Sequence, residues 1–106
     1  MKLRALLFGL ITATSHAASW TDHFTFENLP NPVGIDPQVG ALDIMPDGRL
    51  VAAFHRGEVM IYDPTAKSWS LFASGLQEPL GMIAEPDGSL LVMQRCELTR
   101  LKDTDK

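Results

Sequence analysis

The chain has 106 residues, 45% hydrophobic and 21% charged, with 8 Gly, 7 Pro and a single Cys. That is the composition of one small globular domain, and it excludes a collagen-like or low-complexity chain, a disulfide-stapled miniprotein and a polytopic membrane protein. A formal charge of −4, from 9 basic against 13 acidic residues with no basic cluster, argues against a nucleic-acid-binding surface, which must neutralise phosphates with grouped Lys and Arg.

Residues 1–17 read as a secretory signal peptide. Lys2 and Arg4 lead, Ala5 to Ala13 supply the apolar run, and Ser15-His16-Ala17 puts small residues at the cleavage subsites. A transmembrane anchor needs about 20 consecutive apolar residues, and polar residues here begin at Thr12. Cleavage after Ala17, with Ala18 as the next candidate, leaves a small acidic chain that is secreted or periplasmic and not membrane-spanning.

Residues 18–38 form the next segment. Phe24 and Phe26 stand at strand spacing, and Pro30, Pro32 and Pro37 follow, so the expectation is a short strand and then a Pro-rich linker. Residues 39–75 then read as four strands. Val39 to Met45 is an apolar run ending at Pro46-Asp47-Gly48, a hairpin turn, and Arg49 to Phe54 is the return strand. Glu58 to Tyr62 is the third, stopped by Asp63-Pro64, and Ser68 to Ala73 is the fourth. Residues 76–106 restart the order with Leu80 to Ala84, Pro86-Asp87-Gly88, Ser89 to Met93 and Glu97 to Leu101. Short strands with no helical periodicity between them predict an all-β chain of antiparallel meanders.

One repeat is visible. A shift of 40 residues lays Pro46-Asp47-Gly48 on Pro86-Asp87-Gly88, Leu50 on Leu90, Val51 on Leu91, Ile61 on Leu101 and Asp63 on Asp103. A period of about 40 to 45 residues is the length of a four-stranded propeller blade. The expectation is a partial β-propeller, one full blade over 39–75 and three strands of a second over 76–106. A blade and an oxygen-ligand loop both left unfinished there make Lys106 the expected site of a fragment boundary, a frameshift or a premature stop, with further blades needed to complete the fold.

Cys96 is an odd cysteine in an exported chain and has no partner for an internal disulfide. It is a reactive thiol, an intermolecular bridge, or a small buried apolar residue at a strand end, and the lack of any nucleophile motif around it favours the last.

Gly75-Leu76-Gln77-Glu78-Pro79-Leu80-Gly81-Met82, the stretch Pro86 to Val92, and Gln94-Arg95 with Glu97-Leu98-Thr99-Arg100-Leu101 resemble the opening blades of the glucose/sorbosone dehydrogenase-like propellers. The similarity is to the large secreted membrane-bound dehydrogenase type, whose blades also use a Gly-Glu-Val-x-Ile-Tyr-Asp-Pro strand like Gly57 to Pro64, and it spans roughly Gly40 to Asp105. The resemblance implies a six-bladed propeller, in some members binding pyrroloquinoline quinone and oxidising sugars, often followed by haem-bearing modules. The catalytic His and most cofactor contacts of those members lie in later blades, so no catalytic residue carries over to this chain. Only Gln94-Arg95 matches a family position, and Cys96 stands where the family places proline.

His55-Arg56 and Gln94-Arg95 occupy corresponding positions at the end of the second strand of each repeat, where propeller loops converge on one face. An Arg there forks onto a carboxylate pair of a ligand, or caps the strand end in a salt bridge, which is commoner. His55 has no second ligand at metal spacing, and His23 beside Asp22 reads as surface. Asp103-Thr104-Asp105 starts a calcium-type loop without completing it. Pyrroloquinoline quinone and calcium are therefore implied only for a full-length relative. Two readings follow: part of an exported quinone-dependent oxidoreductase acting on a sugar or polyol, inactive by itself, or a non-catalytic envelope propeller that binds glycans or proteins.

Overall fold

A computed structural model describes residues 9–105. Lys2, Arg4 and the start of the expected apolar leader, with Lys106, lie outside the described residues. Among the described residues no helix is long and apolar enough to cross a membrane.

Among the described residues seven strands form two antiparallel sheets. The first holds β1 (Val39–Ile44), β2 (Leu50–Phe54), β3 (Val59–Asp63) and β4 (Ser68–Ala73) in chain order, and the second holds β5 (Gly81–Ala84), β6 (Leu90–Gln94) and β7 (Glu97–Leu101). Every expected strand from Val39 onward forms, with ends moved by one residue at most. Alternating apolar side chains and Gly, Asp and Pro punctuation dictate this, because each run is too short for a helix and ends at a residue that turns the chain.

Both Pro-Asp-Gly turns close in the same way. Gly48 N–H donates to Met45 O and Arg49 N–H to Asp47 Oδ1, while Gly88 N–H donates to Glu85 O and Ser89 N–H to Asp87 Oδ1. Past the next turn the correspondence slips by one residue. The link from β2 to β3 runs through His55, Arg56 and Gly57, closed by Phe54 N–H donating to Glu58 O, whereas Gln94 pairs directly with Glu97 across Arg95 and Cys96. Leu101 therefore stands opposite Leu90 as Tyr62 stands opposite Leu50, and the alignment of Ile61 with Leu101 is corrected.

The two sheets share one core. Val51, Ala53, Val59 and Ile61 from the first meet Leu90 and Val92 from the second, with Met45 and Leu76 closing the ends and Met82, Ala84, Phe72 and Leu101 packed against them. Complete burial of a side chain such as Val51, Val59, Leu90 or Val92 contributes about 1.5–3 kcal/mol each. A bulge at Phe72, where Met60 pairs with Leu71 and Val59 with Ala73, turns both Phe72 and Ala73 toward that core. A polar tether joins the sheets: Asp43 Oδ2 accepts Ala84 N–H at 2.7 Å. That bond, and a second from Ile44 N–H, hold the Asp43 carboxyl below the usual carboxylate range.

The far face of the first sheet carries a smaller cluster, Ala52, Phe54 and Met60, covered by Ile35 and Trp69. Trp69 donates its indole N–H to Pro30 O at 2.6 Å and packs at 6.2 Å from Phe54 and 5.1 Å from Tyr62, so a strap of residues 30–35 is pinned across that face. The strand expected around Phe24 and Phe26 is absent. After a single 3-10 turn, Trp20–Asp22, the chain runs irregularly and both Phe side chains are exposed. A strand needs a neighbour for its backbone N–H and C=O groups, and none lies beside this segment.

Candidate functional site

The crossover from β4 to β5 brings the candidate polar residues together. It passes so close to the first sheet that an added Cβ at Gly40 would lie 2.0 Å from Pro79 O, and one at Gly57 would lie 2.0 Å from Leu76 O. Gly40 is the unpaired residue of a bulge in β1, and Gly57 has φ 107 in the turn after β2. These two glycines let the crossover lie flat against the sheet ends, and Leu76 N–H then donates to Gly57 O at 3.2 Å.

Glu78 is carried on that crossover in a left-handed conformation, φ 46, which costs a non-glycine residue about 1–2 kcal/mol. Its carboxylate sits between the two turns. Glu78 Oε2 takes a hydrogen bond from an Arg95 guanidinium nitrogen, and Glu78 Oε1 lies 3.8 Å from His55 Nε2. Gln94 fixes the same crossover: its Oε1 accepts Gln77 N–H at 2.7 Å, and its Nε2 donates to Glu97 Oε1 and Thr99 Oγ1. Arg95 N–H donates to Gln77 O. Three of the four ligand-face candidates, His55, Gln94 and Arg95, thus converge on residues 77 and 78. The fourth, Arg56, turns away to Asp36 at 3.2 Å.

Glu78 stands in the run that carries the resemblance, but no site role is read for it, since that role depends on a chain crossing between two sheets. Another group missed is Glu58 at the start of β3, whose Oε2 is buried without a hydrogen-bond partner. Beside the convergence, Gly75, Gln77, Gln94, Arg95, Cys96 and Glu97 line an open depression of about 280 Å³. Cys96 sits at its edge, exposed, with φ 69. The buried reading of Cys96 is corrected: a two-residue turn leaves its side chain no core to enter. His23 is exposed, as expected.

Asp103 and Asp105 lie at the other end of the second sheet. Asp103 Oδ1 accepts Asp105 N–H at 3.0 Å, an ordinary Asx turn. The depression there, about 400 Å³, is formed with Leu71, Phe72 and Ala73. Among the described residues no three His, Cys, Asp or Glu side chains group as a cation site needs. At the same end the Ser89 hydroxyl lies 2.6 Å from Asp87 Oδ1 and 2.7 Å from Glu85 Oε2, and Arg100 reaches Glu85 at 2.7 Å. The bonds from the Ser89 hydroxyl and backbone N–H hold the Asp87 carboxyl below its ordinary range.

Chemically, the His55, Glu78, Arg95 arrangement is a solvated polar cluster that brings three loops together. It joins an imidazole and a guanidinium around one shared carboxylate, with the exposed Cys96 thiol on the residue after Arg95. No family model, curated protein or solved structure matches the chain.

Proposed function

We propose that the chain is a blade pair of an exported β-propeller similar to the quinone-dependent sugar and polyol dehydrogenases, and that it contributes a loop-bearing face and no catalytic group. The observation that supports this most is the stacking of two antiparallel meanders through Val51, Val59, Leu90 and Val92, with the loops after β2 and β6 brought to one end at Glu78. Propeller blades pack face to face in this manner and present their inter-strand loops on shared ends. A hydride or proton transfer needs a base with an orienting partner and a bound cofactor. Arg95 is held by the Glu78 carboxylate, and His55 Nε2 stands 3.8 Å from the same group, beyond hydrogen-bonding distance, so the cluster is read as a link between loops.

The pairing of Arg95 with Glu78 beside an open depression favours a second reading, a non-catalytic propeller that binds a glycan or a protein of the cell envelope on that depression, beside Gln94 and Arg95. One experiment separates the two. The purified chain is assayed with pyrroloquinoline quinone, calcium, a panel of aldoses and polyols and an artificial electron acceptor, and in parallel titrated with the same sugars by calorimetry. The expected result is no turnover. Turnover that disappears in Arg95→Ala contradicts the non-catalytic assignment, and sugar binding without turnover that is lost in Arg95→Ala favours the binding propeller.

A further inference from the structure

The second sheet leaves its outer face open. Ile83 is 60% exposed, Met93 51% and Leu98 58%, with Leu91 half-buried between them. The strand registers identify what this face is. Ile83 pairs with Leu91 as Asp43 pairs with Val51, and Met93 pairs with Leu98 as Ala53 pairs with Val59. The open side chains therefore stand where the first sheet has Val51, Ala53 and Val59, the group that the second sheet covers.

The covering group has a counterpart too. Met82, Ala84, Leu90 and Val92 form the face that packs on the first sheet, and the same registers match them to Leu42, Ile44, Leu50 and Ala52. The strap shields Ala52, Phe54 and Met60, yet Leu42 remains 58% exposed and Ile44 56%. One molecule thus makes this sheet-on-sheet interface once internally, leaves one half of it open on the second sheet, and leaves the Leu42 and Ile44 edge of the other half open on the first, beside the strap that covers Ala52.

We propose that the open face of the second sheet docks the Leu42 and Ile44 face of another copy of the chain, so that copies associate head to tail. A contact between two different patches is heterologous, and each added copy presents the next pair of faces. The intermolecular contact is weaker than the internal one, because Ile83 occupies the place of Asp43 and has no carboxylate to accept the backbone N–H that Asp43 takes from Ala84. Association is therefore reversible and apolar. This inference rests on the sheet registers and is independent of the dehydrogenase-like reading.

Sedimentation velocity on the chain purified as the cell processes it tests the proposal. The expected result is an average mass that rises with concentration into the range of about 100 μM. Ile83→Glu and Leu42→Glu each sediment as monomers, because each has lost one face, and their mixture gives a one-to-one pair and nothing larger. Both side chains point away from the shared core; Met93→Glu and Ile44→Glu supply a second pair on the same faces should either first variant lose its far-UV spectrum. A wild-type chain that stays monomeric overturns the proposal. So does self-association that survives Leu42→Glu or Ile83→Glu, since it means that like faces meet, and so does a mixture of folded variants that forms no pair.

Discussion

Gly40 and Gly57 decide whether the crossover can reach the sheet ends. At Gly40 the backbone is not left-handed, so the obstacle to a side chain is the Pro79 carbonyl 2.0 Å from where a Cβ would sit. Gly57 has both obstacles, a φ of 107 and the Leu76 carbonyl at 2.0 Å. Gly40→Ala is expected to cost about 1–3 kcal/mol through overpacking alone, and Gly57→Ala more, read as loss of stability in urea melts. Both are also expected to loosen Glu78 from Arg95, whereas Glu78→Ala releases His55 and Arg95 with little loss of stability, since exposed ion pairs contribute about 0–1 kcal/mol. Asp43 supplies a pH dependence. Its folded carboxyl titrates below the unfolded value of about 3.9, so the unfolded chain binds more protons, and stability rises with pH through that window. The contribution is fully present above the unfolded value and is lost as pH falls through the folded one. Urea melts between about pH 2 and pH 6 are expected to show this acid slope reduced in Asp43→Asn, and an unchanged slope contradicts the tether.

At the scale of elements, the strap and the strands differ in what holds them. Trp69→Phe keeps an aromatic ring over Phe54 but removes the hydrogen bond to Pro30 O, worth about 0.5–1.5 kcal/mol. Limited proteolysis is expected to cut residues 18–35 faster in this variant while β1 to β7 stay protected; equal rates contradict the pinning. The seven strands were legible because each is bounded by its own turn chemistry, Pro46-Asp47-Gly48 or Asp63-Pro64, which acts locally. Phe24 and Phe26 carried the same alternation and misled, because pairing is not a local property. The one-residue slip at Leu101 was hidden for a related reason: it depends on whether the turn after a strand holds two residues, as at Arg95-Cys96, or three, as at His55 to Gly57. Of the candidate site, the sequence placed His55, Gln94 and Arg95 at equivalent turns, and the structure brings them to one end. The role of Glu78 was invisible, since its position follows from two glycines far from it in the chain.

Across the whole molecule, one core is shared by two sheets, and both the blade-pair reading and the head-to-tail association require it. Leu90 is fully buried at that junction against side chains of the first sheet. Leu90→Ala is expected to remove about 2–5 kcal/mol, and because the core is shared the loss belongs to both sheets. Native-state amide exchange of this variant is the most direct measurement. Exchange is expected to accelerate in β2 and β3 as much as in β6 and β7. Acceleration confined to β5, β6 and β7, with the amides of Val51 to Ile61 unchanged, would mean that the sheets fold independently and would contradict the account.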